Sequence, residues 1–217
     1  MAEVEMNPSS REGALAQLNE WLSNSDEGEQ SLKLFVSMLY AGDGNVKEAL
    51  KVLLGSRHLE HQAMVVQLYL KMDRADLATK IWKSMVAADE DSTLTSLASA
   101  WVNIASDKAQ EACYIFDELA DKHGSSSLLL NGLAAAKMHC GEFAEAETVL
   151  QEALSKAAGD ADTLANLIVV CQHLRRPDDV VNRYLMQLQS KHPTHQLVES
   201  LATFDGAFDR VAATLAK

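Results

Sequence analysis

Apolar residues return at the three- and four-residue steps of helices along nearly the whole chain, and no stretch alternates as a half-buried strand would. The pattern predicts helices over 11–23, 30–41, 46–54, 59–72, 75–87, 92–105, 108–121, 126–139, 142–156, 161–174, 177–190, 194–202 and 204–215. Gly42-Asp43-Gly44 and His123-Gly124-Ser125-Ser126 read as loops between them. Ser9-x-x-Glu12, Asn45-x-x-Glu48 and Asp107-x-x-Gln110 have the spacing of N-terminal capping boxes. Asp89-Glu90-Asp91 reads as a loop with capping duty for the helix that opens at Ser92. Gly141 is placed to end one helix. Pro177 suits the first position of another, where its missing N–H costs nothing.

The helices come in pairs at a fixed distance. Ala146 is followed by Leu150 and Ala153; one repeat earlier Ala112 is followed by Phe116 and Leu119, and one before that Ala78 by Trp82 and Met85. One step forward, Val180 is followed by Tyr184 and Gln187, while upstream Ala49 and Leu53 stand at a shortened step from their counterparts. Positions four apart share a helix face, so the small residue lets two backbones approach while the bulky one fills the adjoining hole. The first helix of each pair supplies the matching residues, as in Leu130, Leu133 and Ala134, then Leu164, Leu167 and Ile168. A spacing of about 34 residues is that of the tetratricopeptide repeat. The reading is therefore all-α, a helix-pair solenoid wound as a right-handed superhelix. Residues 1–10 are expected to be disordered, 11–192 to form the solenoid, and 193–217 to cap it, with Leu201, Phe204, Phe208 and Val211 covering the last repeat.

Composition narrows the function. Nineteen basic against 31 acidic residues give a net charge of −12, which repels phosphate backbones and anionic lipid. Nucleic acid and bare membrane are thus poor partners. Cys113, Cys140 and Cys171 are odd in number and widely spaced, so they read as reduced core thiols and not as a disulfide framework. The acidic N-terminus has no signal-peptide core, and no apolar run reaches the ~18 residues of a membrane span.

Signals for catalysis are weak. Gly42-Asp43-Gly44 lacks the lysine and the preceding strand of a phosphate loop. His58-Leu59-Glu60-His61 is one residue short of the zinc-protease spacings and reads as a solvated turn, as do His192 and His195. His139-Cys140 has no base or orienting partner. Trp82, Trp101, Phe116 and Tyr184 fall at core positions. No cofactor is implied.

What remains is the surface of the first helix in each pair. On the repeat register its non-core positions are Leu34 and Met38 (with Ser31); Ala63, Gln67 and Leu70; Thr95, Ser99 and Val102. They continue as Leu128, Asn131, Ala135 and Met138, then Ala165, Val169 and Gln172. The set is uncharged in a chain that is 23% charged. Such a groove suits a partner segment that becomes buried, because desolvating charge is costly. It does not suit a clamp that grips a terminal carboxylate with Lys and Arg.

Several runs carry a closer resemblance. Met72-Asp73-Arg74-Ala75-Asp76-Leu77-Ala78, Asp89-Glu90-Asp91-Ser92-Thr93-Leu94-Thr95, Leu128-Leu129-Leu130-Asn131-Gly132, Leu164-Ala165-Asn166-Leu167-Ile168-Val169 and Asn182-Arg183-Tyr184-Leu185 resemble the epsilon subunit family of coatomer. The likeness runs from about residue 30 to the end. It implies a non-catalytic vesicle-coat subunit, cytoplasmic and peripheral on Golgi membranes, that wraps a protruding segment of the coatomer alpha subunit's C-terminal domain. Family members carry further repeats upstream, so the resemblance also implies that this chain lacks them and leaves Ala14, Leu15, Leu18, Trp21 and Leu22 partly exposed. The alternative is a generic tetratricopeptide adaptor for a peptide of another complex. A homo-oligomer is not evident from the residues.

Overall fold

The computed structural model describes residues 30–215, together with Gly13, Gln17 and Glu20, which are helical. Residues 1–10 and Ala14, Leu15, Leu18, Trp21 and Leu22 lie outside the described ones, as does Ser9-x-x-Glu12. Residues 30–215 form eleven helices and no strand: α1 (Gln30–Gly42), α2 (Val46–Leu53), α3 (Leu59–Lys71), α4 (Ala75–Ala88), α5 (Thr93–Ala105), α6 (Ala109–His123), α7 (Ser127–His139), α8 (Phe143–Lys156), α9 (Ala161–His173), α10 (Asp178–Lys191) and α11 (Gln196–Leu215). They fall into two units, Met1–Ser106 and Asp107–Lys217. In the first, α1 pairs with α2 and α3 with α4, and α5 packs on both α3 and α4. In the second, α7 pairs with α8 and α9 with α10, while α6 packs on α7 and α8 on α9.

The turns between helices show why the period is regular. Asp73, Asp107, Gly141 and Arg175 stand one repeat apart and all take left-handed backbone, with φ of 55°, 58°, 80° and 52°. Gly44, one shortened step before Asp73, does the same at 77°. At four of these turns the next N–H reaches back five residues to close the helix end: Asn45 to Tyr40 O, Arg74 to Tyr69 O, Glu142 to Lys137 O and Arg176 to Cys171 O, each at 2.9 Å. A left-handed residue with a Cβ costs roughly 1–2 kcal/mol, less for Asp, whose short side chain tolerates it. Gly141→Ala is therefore expected to lower stability by about 1 kcal/mol. Arg175→Gly is expected to raise it by at most ~1 kcal/mol, once the extra chain entropy of glycine is deducted. Urea titration of the two variants checks both signs.

That turn chemistry corrects two capping expectations. Asp107 is the left-handed turn residue and not a cap; α6 starts after Lys108. Asn45 precedes α2 but its side chain caps nothing, and neither does Ser92 before α5. Side-chain caps occur instead at Ser126, which accepts from Leu129 N, and at Asp160, which accepts from Thr163 N. Pro177 sits one place earlier than expected, as the residue before α10.

The cores follow the repeat register. In the first unit Ala63, Val66, Ala78, Met85, Ala98 and Val102 form one cluster, with Trp82 and Trp101 packed partly buried against it. In the second, Ala134, Ala146, Leu150, Leu167 and Val170 pack under Tyr184, and Leu164, Ile168 and Leu188 continue the core. Phe116 is almost fully buried, and a Cβ on Gly132 would come within 2.4 Å of its ring, so α6 and α7 approach closely there. His61 is not in a solvated turn. It is buried on α3, with Nδ1 2.7 Å from Ser56 Oγ and Nε2 2.8 Å from Gln30 O, which ties α1 to α3.

The three cysteines are free thiols; Cys113 and Cys171 are buried and Cys140 is half-buried at the end of α7. Burial, aided by the neighbouring Cys140 thiol, pushes Cys113 up to about 11. The folded chain thus holds that proton. Its contribution to stability is complete below the ~8.5 of an unfolded thiol and is lost as pH rises towards about 11. Iodoacetamide at pH 8 is expected to label Cys140 roughly tenfold faster than Cys113 or Cys171. Peptide mass spectrometry reads the order, and early labelling of Cys113 would contradict its burial.

The last helix departs from the expected pair of capping helices. Residues 196–215 form one unbroken helix, and Thr203 Oγ1 donates to Glu199 O at 2.8 Å across the expected break. Its Leu201 is half-buried, but Phe204, Phe208 and Val211 are exposed and do not cover the last repeat.

Candidate partner-binding face

The first helices of the pairs, α1, α3, α5, α7 and α9, present the candidate residues, and each unit places its own differently. In the first unit Met38 and Gln67 are exposed, and Leu34, Leu70 and Ser99 are half-buried. Ala63, Thr95 and Val102 are buried, which removes them from a partner surface: α5 packs against both α3 and α4, so a face that one neighbour would leave open is closed by two. Thr95 Oγ1 spends its hydrogen bond on Asp89 O at 2.8 Å. Phe35, exposed beside Met38 on α1, escaped the sequence reading. The signal was present, since it stands three residues before Met38 on the same helix face.

In the second unit Leu128, Val169 and Gln172 are exposed, and Ala135, Met138 and Ala165 are half-buried. Met138 packs on the Ala146–Leu150 cluster and Ala165 on the Leu164–Leu188 cluster. Asn131 is held by its neighbours. Its Nδ2 lies 3.0 Å from Ser127 O, 3.0 Å from Asp160 Oδ2 and 2.8 Å from Thr163 Oγ1, and its Oδ1 accepts from Asn166 Nδ2 at 3.1 Å. Thr163 in turn donates to Asp160 through both N (3.0 Å) and Oγ1 (2.6 Å). Asn131 therefore fastens α7 to the start of α9, and Leu128 and Val169 are what this face offers a partner.

Two of the cations near the ends of these helices are paired. Lys137 Nζ lies 2.6 Å from Glu145 and 3.3 Å from Glu142, and both hold its ammonium in the charged form. Arg176 is forked onto Glu147 at 2.6 and 3.1 Å. Beyond Gln172 an open polar depression of about 630 Å³ is lined by Arg175, Arg176, Asp178, Val181 and Asn182. Among the described residues no three His, Cys, Asp or Glu gather as a metal site, and no helix is long and apolar enough to cross a membrane.

Comparison with known proteins places this face in context. A family model described as the coatomer epsilon subunit matches residues 1–216. Coatomer subunit epsilon-1 of Oryza sativa subsp. japonica is 42% identical over 209 residues, which is 95% of this chain and 72% of the rice protein. Coatomer subunit epsilon-1 of Arabidopsis thaliana is 39% identical over 213 residues, 97% of this chain and 72% of that one. Among solved structures, a tetratricopeptide repeat protein from Parabacteroides merdae superposes with a TM-score of 0.74 at 16% identity, covering 88% of this chain and 78% of the other. That likeness carries the fold alone: helices paired at the tetratricopeptide period. Together with the whole-chain match it leaves one assignment, that the chain belongs to the coatomer epsilon subunit family.

Proposed function

We propose that this chain is a non-catalytic structural subunit of the coatomer coat that binds and stabilises the C-terminal domain of the coatomer alpha subunit. The setting is Golgi-to-endoplasmic-reticulum and intra-Golgi transport, with the chain cytoplasmic and on membranes only through the coat. The observation that carries this reading is the pair of apolar side chains that the second unit leaves open to solvent on α7 and α9, Leu128 and Val169, in a chain of net charge −12. An apolar insert from a partner would lose no charge solvation on burying against it.

A tetratricopeptide adaptor for acidic peptides would need basic side chains there, and Lys137 is already committed to Glu142 and Glu145. The two readings separate in cells. A tagged chain is expected to co-fractionate with coatomer on Golgi membranes and in cytosol. Recovery with chaperones and no coat subunits would reject the coat reading.

A further inference from the structure

All three thiols are free, and the repeat register shows where the buried one on α6, Cys113, points. One repeat after it stands Glu147 of α8, whose Oε1 lies 3.9 Å from Cys171 Sγ and 3.1 Å from Arg176 Nε, 24 and 29 residues further on. Equivalent positions of stacked repeats face equivalent neighbours. The same two steps from Cys113 lead to Lys137 and Glu142, which bracket Cys140 in the turn between α7 and α8. The contact also runs the other way. Cys140 Sγ donates to Gln110 Oε1 at 3.7 Å, and Gln110 stands one turn before Cys113 on the same side of α6. The two sulfurs are near enough that the Cys140 thiol adds to the burial that pushes Cys113 up to about 11. Cys171, by contrast, has the Glu147 carboxylate at its thiol.

We propose that Cys113 and Cys140 close into a reversible disulfide when a hydroperoxide reaches the chain, pinning the end of α7 to α6. Cys140 reacts first, because it is half-buried at a turn while Cys113 is 3% exposed. Its sulfur takes one oxygen of the hydroperoxide, the O–O bond breaks, and a sulfenic acid and one alcohol or water result. The Cys113 sulfur then attacks the Cys140 sulfur. The S–S bond forms, the S–O bond breaks, and the hydroxyl leaves as water with the Cys113 proton. Two electrons pass from the thiol pair to the peroxide, and exchange with a small-molecule thiol returns them. The bridge joins residues 27 apart, so it restricts the unfolded chain as well as the folded one. Met138 stands two residues before Cys140, so the same bridge fixes the last turn of a helix that carries the candidate face.

The test treats the reduced 217-residue chain with a small excess of hydrogen peroxide. Titratable thiols are expected to fall from three to one, with the Cys113 and Cys140 peptides joined in non-reducing mass spectrometry and Cys171 left free. The thermal midpoint should rise by roughly 5 °C and return on adding dithiothreitol. Cys140→Ser, a change at a half-buried site, should abolish both the crosslink and the rise, whereas Cys171→Ser should keep the crosslink. In the Cys113→Ser chain, dimedone should trap the Cys140 sulfenic acid that the unaltered chain consumes. Three thiols surviving in the unaltered chain, or Cys140 sulfenic acid accumulating there without the crosslink, would overturn the inference. So would a bridge from Cys140 to Cys171 or to a second chain.

Discussion

Phe116→Ala is expected to lower the unfolding free energy by about 3–5 kcal/mol. Its ring is 1% exposed and fills the place where α6 meets α7, so truncation leaves a cavity that close-packed helices cannot fully collapse into. The same contact makes a test in the opposite sense. A methyl group on Gly132 would sit 2.4 and 2.5 Å from two ring atoms of Phe116, so the ring or the helix must move. Gly132→Ala gains up to ~1 kcal/mol of helix propensity but overpacks the site by about 1–3 kcal/mol, and a net loss is expected. Phe116→Leu in the Gly132→Ala background should recover part of it. Urea denaturation followed by circular dichroism reads all three variants. A neutral or stabilising Gly132→Ala would mean that the ring swings clear at little cost.

The second large effect concerns the partner. Leu128→Asp and Val169→Asp each place a carboxylate where the proposed interface buries apolar surface, and each is expected to weaken binding to the coatomer alpha C-terminal domain by about tenfold or more, ~1.4 kcal/mol or above. Leu128 is 62% exposed in the free chain, so its change should leave the fold unaffected, whereas Val169, 37% exposed, is expected to lose some packing as well. Asn131→Asp is a different experiment. It would put a second carboxylate beside Asp160 and break the tie between α7 and α9, lowering stability before binding is measured. Titration calorimetry alongside thermal unfolding separates the two behaviours. Unchanged affinity in both Leu128→Asp and Val169→Asp would move the interface elsewhere.

The repeat was legible because it is written in two independent ways. The small-then-bulky pairs at Ala78, Ala112 and Ala146 carry the period, and the left-handed turns at Asp73, Asp107, Gly141 and Arg175 repeat it. The shortened step upstream reappears between Gly44 and Asp73. Only one of the three non-glycine turn residues is a type that disguises the signal fully, Arg175, where nothing in the side chain favours that backbone. The face was less legible. Translating one helix's pattern by a whole repeat treats every helix alike, yet α5 is flanked by both α3 and α4, and Thr95 and Val102 are buried in consequence. Amphipathic spacing also says that a side wants cover without saying what covers it. That is why Phe204 and Phe208 read as a cap and are found open. The burial of His61 is illegible locally for a related reason: Ser56 Oγ is only five residues away, but Gln30 O, its other partner, comes from α1, 31 residues earlier.

Co-expression with the coatomer alpha C-terminal domain, followed by size-exclusion chromatography with light scattering, tests most directly whether this chain holds the alpha subunit. The expected result is a stable 1:1 complex that survives gel filtration and loses its partner in the Leu128→Asp, Val169→Asp double variant. Two folded proteins eluting separately, under conditions where each is monodisperse, would contradict it.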